Sequence, residues 1–264
     1  MIKKSISFVL VSAFCFLGAS TFVEASSPMG LQSINPVESA GSDARSQDFL
    51  QNSLSKVQHV INAHTYTDLF GNPRFNPNLL VRVNMNSLIL PSEQSIRAYF
   101  ISEDANYQNT FGMTTGHDFS LSAGDQATIF ANASAPPLQT GDFVDLGVFD
   151  KGTKLNFFLG QDTASNPISN TPDEETVWWT NQLKNKDGAQ HVFGIAIPNT
   201  NLLLMGWEDL SGSLFGLNGD YNDLFVVLEG VATPEPETYL ILATFLGFVI
   251  LIRGNKRQEA KVKS

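Results

Sequence analysis

The chain has 264 residues and carries 16 Lys+Arg against 26 Asp+Glu, a formal charge of −10. That balance excludes a nucleic-acid backbone as the main partner, since such binding needs clustered Lys and Arg. With 42% hydrophobic and 16% charged residues a core can be buried, and the single cysteine, Cys15, excludes an internal disulfide or a thiolate metal cluster.

Residues 1–25 have the make-up of a secretory signal peptide. Lys3 and Lys4 form a positive start, an apolar stretch follows over 6–17, and Val23-Glu24-Ala25 offers a small-residue cleavage site. The apolar run is shorter than the ~20 residues of a spanning helix. Cleavage after Ala25 would leave a mature chain without cysteine.

Residues 26–43 are rich in Ser, Pro and Gly and are expected to be a linker. Over 44–63 the apolar positions Phe49, Leu50, Leu54, Val57, Val60 and Ile61 fall at helical spacing. One amphipathic helix is expected there, packed on the body or, in a second reading, offered to a partner. The turn-rich stretch 70–78, with its Gly, Asn and Pro, should separate helix from body and closes a segment 44–78.

From residue 79 the pattern changes to short β-type runs divided by Gly, Asn, Asp and Pro. The expected strands are 80–85, 95–102, 127–131, 143–149, 154–159, 191–197, 202–207 and 224–229. The run from Leu224 to Leu228 is continuously apolar and should be buried on both faces. Many short strands without interleaved helices predict an all-β body over 79–232, a β-sandwich of jelly-roll-like or other topology.

The candidate site lies between two of these strands. Glu208 and Asp209 follow one; a Gly-rich loop leads through Asn218, Asp220, Asn222 and Asp223 into the next. These six residues, Glu208, Asp209, Asn218, Asp220, Asn222 and Asp223, supply the hard oxygens that calcium takes in sets of roughly six to eight. Asn218, Asp220 and Asn222 have the 1, 3, 5 spacing of an EF-hand loop, but Asp223 stands where that loop needs Gly and a strand, not a helix, follows. Turn chemistry is the competing account, because Asn, Asp and Gly also build Asx-turns.

At Trp207-Glu208-Asp209-Leu210 and Asp220-Tyr221-Asn222-Asp223 the chain resembles a bacterial extracellular family known as domain of unknown function 4114. The resemblance extends upstream through Gly141–146 and 152–159, covering about 80–231. It implies a surface module without established enzymatic activity, and it supports calcium as cofactor. Asn218 departs from the family's Asp there, which removes one charge and predicts weaker calcium binding.

Other constellations are sparse. The chain has no His-Glu-x-x-His and no Gly-x-Ser-x-Gly, and His117-Asp118 beside serines is too common a grouping to mark a triad. Asp173, Glu174 and Glu175 before Trp178 and Trp179 fit either a sugar-stacking surface or an acidic turn leading to buried tryptophans. A carboxylate pair such as Glu208 and Asp223 could also serve a polysaccharide hydrolase, provided an open cleft separates them.

Residues 233–264 close the chain. Pro234-Glu235-Pro236 precedes an apolar run over 239–252 and then Arg253, Lys256, Arg257, Lys261 and Lys263. A 14-residue helix covers about 21 Å, short of a ~30 Å hydrocarbon core, and the basic end is expected to stay cytoplasmic. This tail resembles the PEP-CTERM sorting signal, a family of substrates processed by exosortases of Gram-negative bacteria, often alongside exopolysaccharide production. The resemblance implies membrane association before processing, then a place at the cell surface or in the extracellular matrix. Exopolysaccharide or another surface protein is the partner it suggests. Between the two ends, 26–233 carries 22 acidic and 9 basic side chains, about −13 in charge, and such a field attracts divalent cations.

Overall fold

The computed structural model describes residues 28–68, 71, 73–76, 82–114, 126–165, 176–212 and 219–231. The expected signal peptide and the C-terminal apolar segment lie outside these residues. Among the described residues, no helix is long and apolar enough to cross a membrane.

In chain order the elements are β1 (Gln32–Ser33), α1 (Ala44–Asp48), α2 (Leu54–His64), β2 (Thr65–Thr67), β3 (Pro73–Phe75), β4 (Arg82–Val83) and β5 (Gln94–Ser102). Then come β6 (Thr110–Thr114), β7 (Gln126–Phe130), β8 (Phe143–Phe149), β9 (Asn156–Gly160), β10 (Val177–Trp179), β11 (Val192–Ala196), β12 (Leu202–Trp207) and β13 (Leu224–Glu229). Among the described residues the regular structure is mostly strands in sheets, with one helical segment. One sheet has the order β1-β7-β6-β9-β10, a second the order β4-β11-β12-β13-β5-β8, and β2 pairs with β3 as a hairpin.

Strand alternation divides the apolar residues between two cores. Leu224, Val226 and Leu228 join Ile96, Phe100, Phe111, Phe157, Met205 and Trp207 in the core between the sheets. Phe225 and Val227, from the same strand, join Tyr99, Ile101, Ile195 and Leu204 on the opposite face. This is why 224–228 carries no polar residue: both its faces are buried.

The helix covers that second face. Asp43 caps α1 by accepting from Ser46 N at 2.7 Å, and Asp43 N donates to Ser46 Oγ at 3.2 Å, a capping box. A π-helical turn, Phe49–Ser53, joins α1 to α2 and resets the phase of the apolar stripe. Phe49 then stacks on Tyr99 at 3.8 Å, Val57 is fully buried, and Leu50, Leu54, Val60 and Ile61 pack beside them. The apolar face of the helix is therefore used within the chain, against the reading that offers it to a partner.

Three expectations are corrected. Residues 28–43 do not form a free linker: β1 pairs in parallel with β7, and Glu38 and Phe143 exchange backbone hydrogen bonds of 2.8 and 3.0 Å. The turn-rich stretch around 70–78 is partly ordered as β3, whose Phe75 is buried beneath the second sheet. The expected strand 80–85 is reduced to Arg82–Val83, after which Asn84 caps a 3₁₀ turn, Met85–Ser87. Strands β6 and β10 were not anticipated; Thr110–Thr114 is too polar and Val177–Trp179 too short to stand out.

Candidate metal centre

Antiparallel pairing of β12 and β13 ends at the registered pair Trp207 and Leu224. Glu208 follows the first and Asp223 precedes the second, so both carboxylates emerge at one end of the sheet. Asp220 returns to the same place from the loop. Tyr221, at φ 51° in the left-handed region, makes the turn that allows this. Carboxylate oxygens of Glu208, Asp220 and Asp223 lie within 4.8 Å of one another.

The trio is held from several directions. Glu208 accepts from Asp220 N at 2.8 Å and from Leu210 N at 3.2 Å, while Asp223 accepts from Asp209 N at 2.7 Å. Close approach of Gly219 is required as well: a Cβ there would stand 2.8 Å from Glu208 Oε2. Phe75 N donates to Asp220 O at 3.1 Å, so the β2–β3 hairpin braces the loop.

Burial and mutual repulsion set the electrostatics. Glu208 is 8% exposed and Asp223 9%. Burial, and then the nearby Asp220 charge, push Glu208 up to about 7. Burial and the charges of Asp209 and Glu208 push Asp223 up to about 9. Asp220 is raised by burial against the opposing pull of Arg74. Three negative charges here repel one another at neutral pH. A shared proton or a bound cation would relieve that repulsion.

The six candidate residues are thus not equivalent. Glu208, Asp220 and Asp223 converge. Asp209, 2% exposed and raised by burial, turns its carboxylate to Asn109 Nδ2, which donates at 2.8 Å. Asn222 Nδ2 donates to Asp104 at 3.3 Å, and Asn218 lies outside the described residues. With β13 following Asp223 directly, the loop is not an EF-hand.

A supporting shell comes from parts of the chain that carry no local signal. Trp178 Nε1 donates to Asp209 O at 2.7 Å, and its ring stacks on His191 at 3.8 Å. His191 Nδ1 lies 2.9 Å from Glu208 O and Nε2 3.0 Å from Asp187. Burial works to raise the Asp187 carboxyl, but the N–H groups of Ala189 and Gly212 and the ring of His191 outweigh it and hold it below the usual range. Trp178 and Trp179, at 2% and 5% exposure, are core residues, which removes the sugar-stacking reading of that pair. Asp173, Glu174, Glu175 and His117-Asp118 lie outside the described residues.

The trio offers hard oxygen ligands alone. Three carboxylates bring up to six oxygens and no soft ligand, which matches calcium or magnesium and not zinc in a thiolate site. A glycosidase pair needs its carboxyls about 5–5.5 or 6.5–9.5 Å apart across an open cleft. In the trio one oxygen from each carboxylate lies within 4.8 Å of the others, with Glu208 and Asp223 buried and Asp220 half-buried.

No curated protein and no solved structure matches the chain. Residues 149–230, from the end of β8 through β13 and including the whole acidic loop, match the model of a family described as domain of unknown function (DUF4114).

Proposed function

We propose that this chain is a secreted, exosortase-sorted module of the cell surface or extracellular matrix, non-catalytic, with a body stiffened by calcium at Glu208, Asp220 and Asp223. The observation that carries the reading is the convergence of three carboxylates, two buried and one half-buried, at the end of β12 and β13. A calcium ion offsets their repulsion and ties the loop before β13 to the sheet. Export rests on the signal-peptide-like start. Sorting rests on Pro234-Glu235-Pro236 with its apolar run and basic end. Exopolysaccharide or another surface protein is the proposed partner.

The test is the melting temperature of the full chain, in mild detergent, in excess EDTA and across a calcium titration. A cation that binds only the folded state stabilises it by about 2.7 kcal/mol at a hundredfold excess over its dissociation constant. A saturable rise that is lost in the double variant Asp220→Ala, Asp223→Ala supports the site. No shift up to millimolar calcium removes it and leaves turn chemistry. Sorting has its own test: replacing Pro234-Glu235-Pro236 with alanines should abolish processing in a host that carries an exosortase.

A further inference from the structure

The β2–β3 hairpin touches the acidic turn through a backbone bond and a cluster of rings. β2 and β3 form a two-stranded sheet of their own, and all three residues of β2 are exposed. A two-stranded hairpin by itself is marginally stable in water, so this one draws its order from what it rests on. It meets the core through Phe75, which is 3% exposed. The Phe75 ring stacks on Phe193 at 4.8 Å and meets Phe225 edge-on at 5.5 Å.

Two links run from the hairpin to the trio. Phe75 N donates to the carbonyl oxygen of Asp220 at 3.1 Å. Phe193 meets the Tyr221 ring edge-on at 5.5 Å, and Tyr221 is the left-handed residue that turns the chain between Asp220 and Asp223. The Tyr221 hydroxyl donates to Gln190 O at 3.0 Å, which holds the ring in place. A third link leads the other way, to the helix: Asn76 N donates to His64 O at 2.8 Å, and Thr65 opens β2 directly after α2. Arg74 pulls on the Asp220 charge, but Asp68 pairs with Arg74 at 2.7 Å. The hairpin thus brings a compensated pair to the site, not a bare positive charge that would repel a cation.

Asp220 therefore belongs to two structures at once. Its carboxylate joins Glu208 and Asp223, and its carbonyl holds Phe75. Repulsion among the carboxylates works to open the turn, and an open turn withdraws both the acceptor and the Tyr221 ring from the hairpin. A cation that closes the turn restores both. Resting on the calcium reading of the trio, we propose that the β2–β3 hairpin is a calcium-controlled flap, fastened over Phe193 and Phe225 when the trio holds the ion and loosened when it does not. Calcium level then sets how tightly an aromatic surface is sealed. Linkage makes the effect reciprocal, so a docked hairpin raises the affinity of the trio for calcium.

The test is amide hydrogen exchange of the full chain in mild detergent, in EDTA and across a calcium titration, run beside the melting temperature. In EDTA the Phe75 and Asn76 amides should exchange faster than those of β9, the mark of local opening. Saturating calcium should slow them about tenfold, a usual size for coupled sites. Titration calorimetry reads the reciprocal effect. Phe75→Ala should weaken calcium binding about tenfold although it replaces no ligand, and Tyr66→Gly, on exposed β2, about threefold through the loss of strand preference. Should Phe75→Ala fail to fold, Tyr66→Gly still decides. A thermal response to calcium with unchanged exchange at Phe75, or an affinity indifferent to the variants, would overturn the flap and leave the calcium site standing. No thermal response to calcium would remove the site and the flap together.

Discussion

Glu208 and Asp223 flank the last registered pair of β12 and β13, so strand pairing itself forces two carboxylates together at a buried sheet end. The sequence spacing between them matters less than the register. A slip of one residue would turn Phe225 and Val227 toward the wrong core and carry Asp223 away from Glu208. The register that buries the apolar residues is the one that creates the acidic site.

Stability in EDTA should therefore fall as pH rises. Glu208 and Asp223 are raised in the folded chain to about 7 and about 9. Between their unfolded values and these, the folded state holds more protons than the unfolded state, and stability drops as pH climbs through that window. One such group contributes a slope of about 1.4 kcal/mol per pH unit at most. Melting temperatures between pH 5 and 8 should decline in EDTA and level out in saturating calcium. A curve that rises with pH in EDTA would contradict this electrostatic account.

Asp223→Asn separates stability from cation binding. The amide keeps an oxygen for Asp209 N and removes a charge from the most strongly perturbed carboxyl. In EDTA at pH 8 the variant should melt higher than the parent. In calcium it should melt lower, because a ligand charge is gone. Differential scanning calorimetry in the two buffers reads both signs, and a variant destabilised in both would assign Asp223 a purely structural role.

Strands 224–229 and 202–207, buried on both faces, were legible from their nearly unbroken apolar residues, and the edge strand 143–149 from its apolar positions between Phe143 and Phe149. The helix over 44–64 was legible for the same reason, through its stripe from Phe49 to Ile61. Local composition misled where order comes from long-range pairing. Residues 32–33 are Gln and Ser, and only Ala127 and Thr128, far along the chain, make them a strand. The acidic loop was visible as a cluster of oxygen donors, but its division into three converging carboxylates, with the Asp209 carboxylate and the Asn222 amide turned aside, was not. That division depends on Asn109 and Asp104, which lie about a hundred residues away. Asp187 and His191 gave no signal, since each is an ordinary residue until Trp178 and Glu208 are placed beside it.

Arg97 should prove the main fastening of the N-terminal segment. Its guanidinium donates to both oxygens of Asp43 at 3.0 and 2.7 Å and to both of Asp145 at 2.7 and 2.8 Å. It also lies 3.9 Å from the centre of the Phe143 ring. Its side chain is 4% exposed while those carboxylates are 43% and 48% exposed, so screening reduces each pair. Arg97→Met should cost about 2 kcal/mol, below the 3–5 of a fully buried pair. Arg97→Lys should restore little, because an ammonium cannot bridge both carboxylates with paired bonds. Urea unfolding gives the magnitude, and limited proteolysis should cut within 28–43 first.

Gly206 supplies the last test, because it links sheet packing to the acidic loop. It sits in β12 opposite Phe225, and a Cβ there would meet the Phe193 ring at 2.2 Å and Tyr221 O at 2.8 Å. The Phe193 ring is confined by Phe75, on which it stacks at 4.8 Å, and edge-on by Tyr221 and Phe225 at 5.5 and 6.3 Å. The Tyr221 carbonyl is backbone in the turn that brings Asp220 to Glu208. Gly206→Ala should therefore destabilise by about 1–3 kcal/mol, the usual range for overpacking. It should also weaken calcium binding, by displacing a turn that contains no substituted ligand. Urea unfolding with and without calcium measures both effects. A stability loss that is equal in the two conditions would show that the loop tolerates the shift, and would detach Tyr221 from the site.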